Sequence, residues 1–252
     1  MSKYKVFVIV GIILLLAGSM TASASEIRVN GGGAAINTIF KPISSHTKDS
    51  GITLNILQST PKNGLVDLVQ GRADIATAAV PLESMIKGAQ KDGIEIDQST
   101  LQQTVIGKNK VVAFLHKDNP VKKLSKDQLK AIFTGKVMNW KEVGGNDLPV
   151  IVVWGKASPG QNALFTKDIL DGEAVTKDIL DATDYANIKE TVAAIPESIG
   201  IDPLGLADTS VNVPETPEVS SPIIMVTKGD PTPDIQKLLG YIKGEGQKYI
   251  KQ

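Results

Sequence analysis

Residues 26–43 read EIRVNGGGAAINTIFKPI. The first five of them, Glu26–Asn30, alternate polar and apolar side chains, which predicts a β-strand. After the three glycines, apolar side chains recur at helical spacing from Ile36 to Ile43, which predicts a helix with one apolar face. A strand, a glycine turn and a helix in this order are typical of a βα unit.

The strand and helix patterns continue to alternate along the chain. Ile52–Leu57 is strand-like, Leu65–Val69 is a short helical pattern, and Asp74–Ala79 predicts another strand that ends before Pro81. Further strands are predicted at Thr104–Ile106, Val111–Leu115, Val150–Trp154 and Ile223–Thr227, and further helices through Ala163–Phe165 and Pro233–Ile242. This alternation predicts an α/β fold with parallel strands flanked by helices.

One helix has an explicit start signal. The hydroxyl of Ser125 can accept a hydrogen bond from the third helical residue while Gln128 reaches back, the arrangement called a capping box. The pattern predicts a helix that begins after Ser125 and stops at Gly135.

Two segments of the second half have unusual sequences. The hexapeptide TKDILD occurs at 166–171 and again at 176–181. A single short copy does not make a solenoid, so we interpret the pair as two consecutive amphipathic turns. Val211–Pro222 is rich in proline, glutamate and serine and predicts an extended surface connector.

The N-terminus predicts export. Lys3 and Lys5 precede the apolar run Val6–Ala17, and Ala22-Ser23-Ala24 fits a signal-peptidase site ending at Ala24. The run is shorter than the roughly 20 apolar residues that span a bilayer, and a retained membrane anchor is the alternative. We expect a periplasmic protein, with cell-surface and secreted locations left open.

Composition excludes several classes of protein. The 252-residue chain has no cysteine, so disulfides, thiolate metal sites and a lipid-modified N-terminal cysteine are excluded. Its 27 basic and 27 acidic residues balance, which argues against nucleic acid as a partner. Nearly all the basic residues are lysines, and the only arginines are Arg28 and Arg72.

Several stretches together resemble one protein family. Residues 132–136 read IFTGK, residues 139–145 read NWKEVGG, Gly71–Ile75 reads GRADI, and Ser198–Ile201 reads SIGI. With the C-terminal stretch Pro222–Ile250, these resemble the phosphate-type periplasmic solute-binding proteins of ABC importers. The resemblance spans nearly all of the chain after Ala24.

The resemblance implies a type II periplasmic-binding-protein fold, an α/β architecture with two lobes, mixed sheets flanked by helices and a central cleft. We expect a signal peptide at 1–24, a first lobe at 25–114 and 216–252, and a second lobe at 115–215. The chain would cross between the lobes on Val111–Leu115 and Ile223–Thr227, which would act as hinges. A monomer is expected.

In this family an oxyanion is held in the cleft by backbone N–H groups at helix starts, by hydroxyls and by an arginine. The corresponding candidate ligand-binding residues are Gly33, Ala34, Ala35, Ile36, Ser59, Thr60, Lys62, Thr77, Ser158, Gly160, Gln161 and Asn162. Simpler interpretations stay open, since the glycines also suit a tight βα turn and Lys62 also suits a surface loop.

The chain departs from the family pattern in each of these loops. Gly155 stands where the family has its arginine, Pro159 replaces a serine, and Gln161 replaces a threonine. Ala78–Val80 offers only methyl groups where the family has a polar residue. Pro61 replaces a serine and removes an N–H donor. These losses predict weak binding of phosphate, because each charge-assisted hydrogen bond contributes about 1.5–3 kcal/mol.

Three functional hypotheses follow. The first is a solute-binding protein that delivers phosphate or a related oxyanion to an ABC permease. The second is an interaction or scaffold protein that keeps the fold with a lost or altered ligand site. The third keeps the binding role for a neutral or polar ligand, matching Gln161, Asn162 and Asn37.

An enzyme is not expected. His46 and His116 are isolated in the sequence, and neither a nucleophile elbow nor a histidine–glutamate metal spacing occurs. We therefore expect neither a catalytic residue, nor a metal, nor a cofactor.

Overall fold

The computed structural model describes residues 25–156 and 158–251. The predicted signal peptide at 1–24 lies outside the described residues. The elements follow in chain order, with the first helix divided into two α-helical parts by a π-helical turn at Ile36–Phe40. The elements are β1 Ser25–Gly32, α1 Gly33–Ala35, α2 Lys41–Ser44, β2 Ile52–Ser59, α3 Pro61–Val69, β3 Ile75–Ala78, α4 Leu82–Lys91, β4 Leu101–His116, α5 Lys126–Phe133, β5 Ile151–Gly155, α6 Pro159–Asp168, β6 Ile179–Ala182, α7 Tyr185–Ala194, β7 Ser198–Pro203, β8 Val211–Asn212, β9 Val219–Lys228 and α8 Pro233–Lys243.

The strands form one mixed sheet in the order β2-β1-β3-β9-β4-β7-β5-β6, with β8 paired to β4. β1 pairs in parallel with β2 and β3, and β5 pairs in parallel with β6 and β7. The long strands β4 and β9 run antiparallel to each other and join these two parallel groups. The α/β fold class predicted from the sequence is confirmed.

The molecule has two lobes because its buried apolar side chains fall into separate cores. Ile106 of β4 and Ile223 of β9 belong to a core with β1 and α8. Val111 of β4 and Val219 of β9 belong to a second core with α5 and α6. The chain therefore crosses between the lobes on β4 and β9, and we call residues 107–110 and 220–222 the crossing segments. The predicted boundaries at 114/115 and 215/216 stay predictions.

The start of α5 matches its prediction. The Ser125 hydroxyl accepts a hydrogen bond from the N–H of Gln128 at 3.2 Å, and the Gln128 side chain accepts one from the N–H of Ser125 at 2.9 Å. The capping box is therefore confirmed. Asn139 and Glu142 make a second capping box around the short 3₁₀ turn Trp140–Val143, so the stretch NWKEVGG has a structural role. The buried Trp140 indole donates to the carbonyl of Glu197 at 2.7 Å.

The interpretation of the two TKDILD copies as similar turns was wrong. The copy at 166–171 ends α6, whereas the copy at 176–181 leads into β6. In the second copy Ile179 and Leu180 pair with Val152 and Val153 of β5, so sheet contacts decide its conformation.

The interpretation of Val211–Pro222 as a surface connector was wrong in part. Residues Val211–Asn212 form β8, and β9 already begins at Val219. Val211 and Val219 are both buried.

Candidate functional site

A narrow cleft, with about 30 Å³ of space that water can enter, lies where the two lobes meet. The first lobe contributes Ala34 and Val80, and the crossing segments contribute Asn109 and Ser221. The polar and aromatic side chains that line it from the second lobe are Ser158, Gln161 and Tyr185. None of the described residues that line the cleft carries a charged side chain.

The first-lobe wall is built where β1 ends and the first helix begins. Ala34 lines the cleft, whereas Ala35 and Ile36 are buried in the core beneath it. Gly33 lies under the ring of Tyr185 from the opposite lobe, because a Cβ atom on Gly33 would lie 2.7 Å from the Tyr185 Cε2 atom. The Tyr185 ring therefore covers this part of the glycine turn.

The second-lobe wall is the start of α6. Ser158 precedes the helix, and the first-turn N–H groups that follow it have no acceptor within the helix. Gly160 faces Val80 of the first lobe, since a Cβ atom there would lie 2.6 Å from the Val80 Cγ1 atom. Gln161 donates from Nε2 to the carbonyl of Ile201 at 2.9 Å. The two lobes are thus in direct contact across the cleft.

The position at which the resemblance places an arginine is filled by other atoms. A Cβ atom on Gly155 would lie 2.7 Å from the Ile188 Cδ1 atom and 3.2 Å from the Ser158 Oγ atom. Ile188 of α7 therefore occupies the space that a long side chain at 155 would need.

Both arginines of the chain are paired away from the cleft. Arg28 binds Asp74, with 2.7 Å between its Nη2 atom and the Asp74 Oδ1 atom, and Arg72 pairs with Asp67. Hydrogen bonds from Arg28 hold the pKa of Asp74 below its usual value. No arginine is left to supply positive charge to the lining.

The structure brings four of the predicted site residues together in the lining: Ala34, Ser158, Gly160 and Gln161. Five others lie outside the lining with their side chains held by neighbours. The Ser59 hydroxyl donates to Asn30 at 2.7 Å, Thr60 caps α3, Lys62 pairs with Asp92, Thr77 donates to the carbonyl of Ile224 at 2.8 Å, and Asn162 donates to the carbonyl of Gly155 at 2.7 Å.

The lining also contains Asn109, Tyr185 and Ser221, which are not among the residues predicted from the sequence. Asn109 falls in the gap between two predicted strands that are in fact one strand, β4. Ser221 falls in the segment interpreted as a connector. Asn109 and Ser221 are both polar residues inside long strands, which is the sequence feature that could have indicated them. Only the crossing of β4 and β9 places these two residues at the cleft.

The second lobe contains two buried ionisable groups, Tyr185 in the lining and Asp202 outside it. Burial raises the pKa of Tyr185 to about 12, a hydrogen bond with the Ser158 side chain opposes this rise, and the nearby Asp202 adds to it. Burial also raises the pKa of Asp202 to about 9. Both side chains are therefore uncharged at neutral pH. An acidic residue within the apolar run of β7 is the sequence signal for this buried carboxyl, and Asp202 is not among the predicted site residues.

Within residues 25–156 and 158–251, no three histidine or acidic side chains gather as a metal site would require. Among the helices of the described chain, none is long and apolar enough to cross a membrane.

Comparisons with known proteins agree with the two-lobed architecture. The family model of the PBP superfamily domain matches residues 18–243. The phosphate-binding protein PstS of Bacillus subtilis (strain 168) is 33% identical over 193 residues, which cover 69% of this chain and 63% of that protein. The chain therefore spans less than two thirds of this relative's length.

Solved structures share the fold. A phosphate ABC transporter substrate-binding protein from Clostridium perfringens, solved with bound phosphate, superposes with a TM-score of 0.73 at 25% identity, covering 90% of this chain and 100% of that one. An ABC-type phosphate transport receptor from Vibrio cholerae has a TM-score of 0.63 at 21% identity over 88% of this chain and 95% of that one, which supports the fold alone. The family match over most of the sequence and the two-lobed fold lead to one conclusion: the chain belongs to the PBP superfamily.

Proposed function

We propose that this protein is an exported solute-binding protein that captures a small ligand between its two lobes and delivers it to an ABC importer. The signal-peptide pattern at 1–24 supports export. The names of two relatives, a phosphate-binding protein and a phosphate ABC transporter substrate-binding protein, support a role in import.

One observation carries the proposal. Three polar side chains from different parts of the chain, Asn109, Ser158 and Gln161, line the cleft and are 3%, 2% and 5% exposed. Each has an oxygen atom that makes no hydrogen bond of normal geometry to the described residues. Buried polar atoms are normally hydrogen-bonded, so their gathering where two lobes meet favours a site that a polar ligand completes.

The ligand suggested by the relatives' names is phosphate. The backbone N–H groups at the start of α6 support anion binding. The uncharged lining and the packing of Ile188 against Gly155 oppose it. An arginine pair and each further charge-assisted hydrogen bond contribute about 1.5–3 kcal/mol, so we expect any phosphate affinity to be orders of magnitude lower than that of a site with the arginine.

Thermal unfolding with a panel of phosphate, sulfate, molybdate and uncharged polar solutes tests the binding role. At a ligand concentration of about 100 times Kd, the free energy of unfolding should rise by about 2.7 kcal/mol. For a chain of this size that is a rise in Tm of about 5–10 °C. A flat Tm across the whole panel would contradict a solute-binding role.

A second candidate is a protein-interaction role with a closed cleft. The ring of Tyr185 against Gly33 and the contact of Val80 with Gly160 favour it, because these side chains take space between the lobes. Met138, 71% exposed beside a groove lined by Val137 and Val150, offers an apolar surface outside the cleft. A flat Tm in the panel together with a partner that binds at Met138 would favour this role.

A further inference from the structure

We propose that the ligand of the cleft is an uncharged polar solute whose N–H or O–H groups donate hydrogen bonds to the oxygen atoms of Gln161, Ser158 and Asn109. This inference rests on the proposed solute-binding function and narrows the class of solute.

The Gln161 side chain fixes the direction of hydrogen bonding. Its Nε2 atom donates to the carbonyl of Ile201 at 2.9 Å, and a carbonyl accepts only from a donor. The amide oxygen must therefore point the other way, and it is buried without a partner among the described residues. Because Gln161 lines the cleft, it presents a hydrogen-bond acceptor to a ligand. An unprotonated oxyanion has only acceptors and would meet this oxygen unfavourably.

Ser158 and Asn109 extend the set of free oxygens. The Ser158 Oγ atom and the Asn109 Oδ1 atom are both buried, and within the described chain neither makes a hydrogen bond of normal geometry. The Tyr185 side chain lies close enough to Ser158 for the Ser158 hydroxyl to lower the Tyr185 pKa, so both groups face the same part of the cleft. They approach the cleft from different directions, Ser158 from the start of α6 and Asn109 from the crossing segment of β4. A ligand with two or more donor groups would satisfy several of these oxygens at once.

The charge of the lining argues for a neutral ligand. Burying an ion without a partner of opposite charge is costly, and the described lining contains neither a cationic nor an anionic side chain. The nearest buried acid, Asp202, is held protonated by burial and would not balance a cation at neutral pH. Both a fully ionised oxyanion and an ammonium group would therefore be unbalanced.

The start of α6 supplies the complementary donors. The first-turn N–H groups of a helix have no acceptor within it, and Gly160 and Gln161 occupy this turn at the cleft. They suit a hydroxyl or carbonyl oxygen of the same ligand. The hydrogen-bonding groups of the site thus match a solute that both donates and accepts, such as a polyol or a primary carboxamide.

Isothermal titration calorimetry separates the two charge classes. The probes are erythritol, ribitol and lactamide in one arm, and inorganic phosphate and sulfate in the other, each at low and high salt. We expect a measurable heat of binding for at least one uncharged probe. Its affinity should be the same at low and high salt, because salt screens only interactions between charges. Binding of phosphate without binding of any uncharged probe would overturn this inference and leave the proposed function standing. The absence of binding in both arms would overturn the proposed function as well.

Ser158→Ala tests the site itself. The hydroxyl makes no hydrogen bond of normal geometry to the described residues, although it lies close enough to Tyr185 to lower the pKa of that residue. Its removal should therefore change the Tm of the free protein by no more than about 4 °C. It should weaken the uncharged probe about 3- to 10-fold, the effect of one hydrogen bond. Ser84→Ala is the matched control, since Ser84 is exposed in the first turn of α4. Equal affinities in Ser158→Ala and Ser84→Ala would contradict the assignment of Ser158.

Discussion

Asp202 is a carboxylic acid sealed inside the second lobe. Its side chain is fully buried, neither of its carboxyl oxygens has a hydrogen-bond partner among the described residues, and burial raises its pKa to about 9. Lys189 opposes this rise in pKa, and Asp184 adds to it. The unfolded chain releases the same proton near pH 3.8. The folded protein therefore binds one more proton than the unfolded chain between these two pH values.

This extra bound proton decides how the stability of the folded protein changes with pH. The free energy of unfolding should fall as pH rises from about 4 to about 9, by up to about 1.4 kcal/mol per pH unit from this group. Asp202→Asn should remove this slope. The variant should match wild type near pH 4 and exceed it by at least about 1 kcal/mol at pH 8.5. Urea denaturation across this pH range measures the difference.

Asp208 provides a control, because its effect on the pH dependence of stability is opposite to that of Asp202. Hydrogen bonds from Lys189 and Ser210 hold the pKa of this exposed carboxyl below its usual value. Its contribution to stability is therefore present at neutral pH and lost as pH falls through the folded-state pKa. Asp208→Asn should lower stability at neutral pH and not in strong acid. If the free energy of unfolding of wild type and of Asp202→Asn changed with pH in the same way, the predicted role of Asp202 would be contradicted.

Individual site residues show the limit of prediction from sequence. Glycine-rich turns and helix starts are readable, so Gly160 and Gln161 were predicted at a cleft. The direction of a side chain is not readable: the Ser59 hydroxyl turns to Asn30, and Lys62 turns to Asp92. These partners lie about 30 residues away in the sequence, and only the fold brings them close.

The capping box of α5 is the element that the sequence predicts best. Its two hydrogen bonds join residues three apart, so local chemistry alone specifies them. Ser125→Ala should lower the free energy of unfolding by about 1 kcal/mol. In a double-mutant cycle with Gln128→Ala, the two losses should not add, because each change breaks the same box. Additive losses measured by urea denaturation would show that the two hydrogen bonds act independently.

The two TKDILD copies show the opposite case. One ends α6 and the other enters β6, although their six residues are identical. Pairing of Ile179 and Leu180 with β5 selects the strand in the second copy. Local propensity is a weak guide where tertiary contacts of this kind compete with it.

The architecture of the whole molecule follows from βα alternation, which the sequence shows plainly. The position of the cleft follows from the crossing of β4 and β9, and the sequence does not show this crossing. A strand of sixteen residues was predicted as two short ones because polar residues interrupt its apolar pattern at the crossing segment. Of these polar residues Asn109 lines the cleft, whereas Lys108 pairs with Glu218 at the surface.

Contact between the lobes should control binding. Gly160→Leu places a side chain where even a Cβ atom lies 2.6 Å from Val80, so it should hold the lobes apart. Separating them would remove about three hydrogen bonds to the ligand and weaken binding about 100-fold. Small-angle scattering should show a larger radius of gyration than that of wild type.

Gly240→Leu is the matched control for Gly160→Leu, because it introduces the same side chain away from the cleft. Gly240 is an exposed helical glycine of α8, and a Cβ atom there would meet nothing within 4 Å. It should bind ligand normally and gain up to about 1 kcal/mol of stability from its better helix propensity. Unchanged binding by Gly160→Leu would show that the ligand does not bind between the lobes.

The most direct test of solute capture is native mass spectrometry of the protein purified without denaturation from its own host. Wild type and Gly240→Leu should carry one small uncharged solute per chain, released on unfolding, and Gly160→Leu should carry none. Wild-type protein that carries no solute and shows no thermal shift with the panel would contradict the account. The same solute held equally by Gly160→Leu would also contradict it, because the cleft would then not be the site.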